Sequence, residues 1–228
     1  MNRLITCAIL IISIQSIGFC QKFTLGVEGG PNISSLRGEN TNEDLLDPKI
    51  FYSVGIYSDY LAYNNFSLKL GAYYQIKGAK SDILFTDNTG TEIGTFELRE
   101  VFKYISVPLL VKYQFGKKIL FYINGGPTIS FLMKQNMEFD SPKQFPLDNI
   151  DRTEYYKSTD FALSFGVGSY VPLTNKFNIS IDLRNDLGLT DVSDNSNVTG
   201  YKLKNNSLNM MIGVNYKLIK KTKTTTSN

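Results

Sequence analysis

The chain has 228 residues, of which 42% are hydrophobic and 13% aromatic, and its formal net charge is +3. It contains no histidine, and therefore lacks the commonest general base and the commonest zinc ligand. Both cysteines, Cys7 and Cys20, lie at the beginning of the chain, which excludes a disulfide or thiolate metal site in the rest, and the small net charge does not indicate a nucleic-acid partner.

The first twenty residues are typical of a secretory signal peptide. Arg3 supplies a positive charge, and the uncharged stretch Leu4–Phe19 follows. Gly18 and Cys20 are small residues at the positions that precede a cleavage site before Gln21. The stretch is shorter than the roughly 20 apolar residues of a spanning helix. We predict export through the Sec pathway with cleavage near Cys20/Gln21; lipidation of Cys20 is the weaker alternative because Phe19 is not small.

From Phe23 onward, apolar and polar residues alternate in eight successive segments. A period of two is typical of β-strands with one apolar face, and no helical period competes with it. The third segment is the clearest, with Leu68 and Leu70 on its apolar face and Lys69 and Tyr73 on its polar face. The segments lie near residues 23–34, 51–60, 66–77, 102–115, 121–131, 160–168, 177–184 and 208–218.

Long and short connections alternate strictly between these segments. With an even number of strands, all long loops then emerge at one rim and all short turns at the other. Outer-membrane barrels have this layout, with short periplasmic turns and long external loops. The sequence therefore predicts an all-β fold, an eight-stranded antiparallel up-and-down transmembrane β-barrel over residues 21–218. Residues 219–228 are predicted to be a disordered basic and polar tail.

A soluble periplasmic calyx of the lipocalin type, carrying a small apolar ligand, is the alternative fold, and its apolar face would point inward. Two features favour the membrane barrel. The polar face is rich in glycine, which suits the narrow interior of eight strands. Aromatic residues of the apolar face cluster at strand ends, as in interfacial girdles; they are Tyr60, Phe66, Phe115, Phe121, Phe177 and Tyr216 at the short-turn rim, with Tyr52, Tyr74, Phe131 and Phe161 opposite.

The apolar face of the predicted barrel would contact lipid, and the polar face would line the lumen. The lipid-facing residues include Leu68, Leu70, Val111, Ile123, Ile181 and Ile212. Lone buried charges are costly and pairing offsets this cost, so we predict a salt-bridged lumen filled by side chains, without an ion path. The lumen charges are Glu28, Lys69, Lys77, Lys112, Asp160, Asp182, Arg184 and Asp186. With no histidine available, we predict no enzyme, no cofactor and no metal site.

Four stretches resemble the PorT-like outer-membrane β-barrel family of Gram-negative bacteria. Residues 73–78 resemble its third strand, residues 104–113, with their Pro-Leu-Leu, resemble its fourth, and residues 121–131 its fifth. Residues 181–189 resemble the seventh-strand motif, although Asn185 replaces the usual tyrosine. The motif residues are Gly78, Pro108, Lys112, Gly126, Arg184 and Gly188. The resemblance implies an outer-membrane barrel and no defined activity.

Most of the 21 acidic residues lie in the long connections, for example Glu39, Asp87 and Asp148. We interpret them as a solvated external surface; a sharper alternative is divalent-cation bridging to lipopolysaccharide or to a partner. The expected partners are outer-membrane lipid and lipopolysaccharide, the barrel-assembly machinery and an unknown protein, but no nucleic acid. The predicted function is structural, or binding through these loops. As an alternative, the family's namesake implies a component of a secretion or gliding apparatus.

Overall fold

The described part of the chain is almost entirely β-structure. The computed structural model describes residues 23–39, 46–86, 89–140, 148–194 and 202–218. The predicted signal peptide and tail lie outside these residues. Within them, no helix has the length and apolar character needed to cross a membrane. The strands are β1 (Phe23–Glu39), β2 (Asp47–Tyr63), β3 (Phe66–Thr86), β4 (Glu92–Gly116), β5 (Leu120–Asp140), β6 (Ile150–Asp151), β7 (Thr159–Pro172), β8 (Phe177–Gly188) and β9 (Lys202–Lys217), and a 3-10 helix covers Thr153–Tyr155.

Eight long strands form a closed antiparallel ring. Their order is β4-β3-β2-β1-β9-β8-β7-β5, and pairing of β4 with β5 closes the ring. Every long strand therefore has a partner on both sides, as strands in hydrocarbon require. The two-residue strand β6 is an addition that pairs with β5. The ring confirms the predicted all-β antiparallel up-and-down fold.

Three neighbouring strands, β3, β4 and β5, continue well beyond the alternating segments. The ladder between β3 and β4 still pairs Asp82 with Glu97 and Ile83 with Phe96, so residues 87–91 alone connect the two strands. The sequence predicts a long connection between the third and fourth segments, and this prediction is wrong because both strands extend into it. The stretch Ser81–Phe85 does not alternate, because a hairpin outside the ring has no buried face to impose the period.

The two faces of the ring differ sharply in chemistry. Leu70 is 52% exposed on the outside, whereas the neighbouring Lys69 is fully buried inside. This is the reverse of a calyx, whose apolar side chains point inward. The outward apolar residues include all six that were predicted to face lipid, namely Leu68, Leu70, Val111, Ile123, Ile181 and Ile212.

Aromatic side chains form a belt around the short-turn rim, on the outer face. Neighbouring rings across the strands have centroid separations of 4.9 to 6.1 Å. At the opposite rim, the rings of Tyr52 and Tyr74 lie 6.2 Å apart. Apolar side chains of the outer face lie between the two aromatic levels, an arrangement typical of membrane barrels. The paired rings of the short-turn belt are Phe23 with Tyr60, Phe66 with Tyr113, Phe115 with Phe121, and Phe177 with Tyr216.

Candidate functional site

The interior of the ring contains ion pairs at successive levels, beginning near the short turns. There, Lys112 Nζ donates to Asp59 Oδ2 at 2.7 Å, and the Tyr170 hydroxyl donates to the same oxygen at 2.9 Å. The ammonium group also lies 4.1 Å from the centroid of the Tyr122 ring. Asp59 belongs to the polar face of the second segment but was not among the predicted lumen charges. With it, the buried charged side chains of the described residues comprise five acidic and four basic groups.

The next level joins β1 to β3. Lys69 Nζ donates to Glu28 Oε1 at 2.6 Å, and neither side chain is exposed. The Tyr73 hydroxyl donates to the same carboxylate oxygen at 2.7 Å, and Lys69 lies 4.0 Å from the centroid of the Tyr57 ring. Both charges are thus compensated by direct contacts without any solvent exposure, as a buried pair requires.

Three charged residues of β8 form the third level. Arg184 Nε lies 3.4 Å from Asp186 Oδ1, and its Nη1 lies 3.9 Å from Asp182 Oδ1. Asp182 also accepts hydrogen bonds from the Tyr122 hydroxyl at 2.8 Å and from Asn124 Nδ2 at 3.1 Å. Two side chains of β5 therefore reach β8 past the intervening strand β7.

The fourth level lies toward the long loops. Lys77 Nζ lies 3.5 Å from Asp160 Oδ2, and Asn205 Nδ2 donates to this oxygen at 3.0 Å. Lys77 also lies 5.2 Å from the centroid of the Tyr104 ring. The structure thus places all eight predicted lumen charges inside the ring and brings each within ion-pair distance of an opposite charge.

Glycines of the inner face make room for large side chains. A Cβ added to Gly55 or Gly71 would overlap the ring of Tyr73, and one added to Gly168 would overlap the ring of Tyr122. Both tyrosines are almost completely buried. The interior of eight strands has little more volume than its side chains occupy, so glycines of the same strand or of a neighbouring strand accommodate these tyrosines.

Above the ion pairs, a cluster of apolar side chains closes the interior at the long-loop end. Its buried members are Leu36, Ala79, Phe102 and Tyr104. Tyr156, which follows the short 3-10 helix, packs edge-on against Phe102 with centroids 4.8 Å apart and an interplanar angle of 88°. This cluster separates the charged levels from the solvent at this end.

Two connections supply the covering layer, which we call the loop cap: residues 148–158 and 189–194. The Lys157 N–H donates to the Val192 carbonyl at 2.8 Å, and the Asp194 N–H donates to the Tyr155 carbonyl at 3.0 Å. The side chain of Val192 is completely buried. The alternating pattern does not reveal the cap, since its backbone is irregular; its only sequence signal is Tyr155-Tyr156 within a polar stretch.

Asp191 holds the second connection of the cap in place. Its Oδ1 accepts hydrogen bonds from the Ser193 N–H at 3.1 Å, the Ser193 hydroxyl at 2.7 Å and the Leu203 N–H at 2.9 Å. Partial burial opposes ionisation, but these hydrogen bonds outweigh it and lower the pKa of Asp191 below its usual value. The contribution of Asp191 to stability is therefore complete above the carboxyl pKa of the unfolded chain and is lost as the pH falls through the lowered pKa.

We expect the loop cap to open more often in the Asp191→Asn variant than in wild type at neutral pH. Loss of charge-assisted hydrogen bonds costs on the order of 1 kcal/mol, or roughly fivefold in the protection of the Ser193 and Leu203 amides from hydrogen exchange. The difference from wild type should vanish at a pH below the lowered pKa. Asp148→Asn, at an exposed acid of the same cap, is the control and should leave protection unchanged. Equal protection of wild type and Asp191→Asn at neutral pH would contradict this account.

Glu97 lies on the extended hairpin, by which we mean the part of β3 and β4 beyond the ring (residues 80–86 and 92–99), and it has three basic neighbours. Glu97 lies 2.6 Å from Lys49 Nζ, 3.5 Å from Lys80 Nζ and 3.3 Å from Arg99 Nε. No group of three or more side chains that could hold a metal ion occurs among the described residues. Glu97 therefore has its basic partners within the chain itself.

The structure shows where each of the six motif residues lies and what it contacts. The N–H of Gly78, at a φ of 147°, donates to Ser34 Oγ at 2.9 Å, and a Cβ there would overlap the carbonyl oxygen of Glu100. Lys112 and Arg184 are members of the interior ion pairs. The other motif residues are Pro108, opposite Thr128 in β5, Gly126, against the Leu109 carbonyl, and Gly188, against the Asn205 carbonyl.

Comparison with known proteins identifies the type of ring. A family model described as outer membrane protein beta-barrel domain matches residues 15–194. A major outer membrane protein from Thermus thermophilus shares the fold, with a TM-score of 0.50, 14% identity and coverage of 86% of this chain and 98% of that chain. Neisserial surface protein A aligns with a TM-score of 0.49 and 12% identity over 86% of this chain and 96% of that chain. No curated protein sequence matches this one.

Proposed function

We propose a non-conducting and non-enzymatic role for this chain, which belongs to the outer membrane protein beta-barrel domain family and is located in the outer membrane. The observation that carries the proposal is the filled interior. Lys69, Lys77 and Lys112 are completely buried there, each beside a carboxylate. An interior occupied in this way offers no aqueous path, which agrees with the small lumen of eight-stranded barrels.

Planar-bilayer recording of the purified protein should show no steady openings of porin size. Water-filled channels occur in barrels of about 16 strands, and a porin of that size is the positive control. Phe102→Ser, which removes the central ring of the apolar cluster, should not conduct either, because four levels of ion pairs lie beneath it. Conduction by this variant alone would make the apolar cluster the barrier, and conduction by wild type would overturn the proposal.

We further propose that the protein acts at its long-loop end, either structurally or by binding lipopolysaccharide or another protein. Family members present short turns to the periplasm and long loops to the outside. Here, the ion-paired hairpin around Glu97 and the loop cap form the outward surface. Photo-crosslinking from Asp148 in the native host, with Asn175 in a short turn as control position, tests this role. Adducts specific to Asp148 support it, and their absence in intact cells contradicts it.

The finer assignment to PorT-like proteins rests on the motif residues. In this fold, Gly78 and Gly126 permit close backbone approach, and Lys112 and Arg184 balance interior charge. Such positions support a shared barrel architecture, and a role in secretion or gliding requires separate evidence. Identification of a secretion component among the Asp148 adducts would favour that alternative.

A further inference from the structure

We propose that the short-turn rim of the barrel binds the phosphate groups of anionic phospholipids through a set of lysines. The set, which we call the basic rim, consists of Lys117, Lys118, Lys176 and Lys217. The first three are exposed, and Lys217 is half-buried. This inference rests on the membrane orientation of the proposed function and adds a ligand to the end opposite the loop cap.

The basic rim has no compensating acid among the described residues. The four lysines are absent from the ion pairs of this part of the chain. The acidic residue nearest to this end is Asp59, and it points inward to Lys112. This end therefore has an unbalanced positive charge, whereas the basic side chains around Glu97 at the other end are neutralised.

The backbone fixes where these charges lie. Gly116, with a φ of 111°, closes the turn between β4 and β5, which leaves Lys117 and Lys118 exposed at its tip. The N–H of Lys217 donates to the carbonyl of Lys176 at 2.8 Å, so these two residues are neighbours. The four lysines thus form two pairs at two places on the rim. Lys117 and Lys118 are consecutive in the chain, and Lys176 and Lys217 are neighbours across two strands.

The depth of the basic rim identifies the ligand. Lys176 directly precedes Phe177, Lys217 directly follows Tyr216, and Lys117 is two residues beyond Phe115. All three aromatic rings belong to the short-turn belt, and such belts lie at the level of the lipid headgroups. With strands rising about 3.3 Å per residue, the lysines lie just beyond that level. Phospholipid phosphates are the anions found at this depth, and lysine is attracted to them.

The test compares the exported chain with Lys117→Gln/Lys118→Gln/Lys176→Gln in phosphatidylcholine vesicles that contain phosphatidylglycerol. Spin-labelled forms of each lipid report their relative association with the protein surface. Wild type should prefer phosphatidylglycerol. In the variant, this preference should fall about fivefold for each replaced lysine that contacts a phosphate in wild type. Replacement of the same lysines by arginine should retain it. The matched control, Lys134→Gln/Lys202→Gln/Lys204→Gln, removes equal charge from the long-loop end and should also retain it.

Three results would overturn the proposal: a wild type without preference, a triple variant that keeps it, or a control that loses it equally. If inorganic phosphate abolishes the preference when it replaces chloride at equal ionic strength, the rim binds free anions rather than lipid. Heat-modifiable gel migration of every sample separates these outcomes from a failure of the proposed function. A protein that inserts normally but shows no lipid preference disproves the basic rim alone.

Discussion

Lys69→Met is expected to destabilise the folded protein by about 3–5 kcal/mol, because it removes one partner of a buried ion pair and leaves the other charge uncompensated. Glu28 Oε1 would keep the hydrogen bond from the Tyr73 hydroxyl, whereas Glu28 Oε2 has no hydrogen-bond partner among the described residues. Methionine fills a volume similar to that of the lysine side chain, so the effect isolates the charge. Such a loss is a large part of ordinary domain stability.

Equilibrium unfolding in denaturant, with the protein in phospholipid vesicles, measures this change. The chain contains no tryptophan, so far-UV circular dichroism and gel mobility should follow the transition. The double variant Glu28→Gln/Lys69→Met removes both charges and should recover most of the loss. A single variant as stable as wild type would show that the pair contributes nothing, and a double variant as unstable as the single would assign the effect to packing.

The faces of the strands could be predicted from the sequence, because one face of each strand meets a different environment from the other. The alternation of Lys69 with Leu70 reflects that difference, and the structure places Lys69 inside the ring and Leu70 on its outer face. Individual strand ends could not be predicted in this way. Beyond the ring, Ile83 and Phe96 still pair in the ladder of β3 and β4, but the order of apolar and polar residues there does not follow a period of two.

The partners of the interior charged side chains could not be predicted from sequence patterns, for a geometric reason. Lys112 on β4 meets Asp59 on β2 and Tyr170 on β7, and neither strand is a neighbour of β4 in the ring. Such contacts cross the lumen, so they depend on closure of the whole ring rather than on local register. The loop cap has the same property, since Tyr156 and Val192 come from different connections and meet only above the closed ring.

Leu70→Arg is expected to impair membrane insertion strongly, which tests the orientation on which every functional proposal here depends. Leu70 lies on the outer face of β3, four residues from Phe66 in one aromatic level and four from Tyr74 in the other. At about 3.3 Å per residue, each level is roughly 13 Å away along the strand, which places Leu70 near the middle of the apolar band. Arginine at the bilayer midplane costs about 2–4 kcal/mol.

The cost of an outward arginine depends on depth, and the extended hairpin supplies a matched control. Leu84 lies on the same face of this strand as Leu70, is 51% exposed and pairs with Thr95 beyond the ring, so Leu84→Arg should insert like wild type. Single cysteines at the two positions, each carrying a fluorophore, give an independent measurement. The probe at position 70 should report hydrocarbon and resist quenching by aqueous iodide, and the probe at position 84 should be quenched. Equal quenching at both positions, or normal insertion of Leu70→Arg, would place the apolar face in water and exclude the membrane orientation.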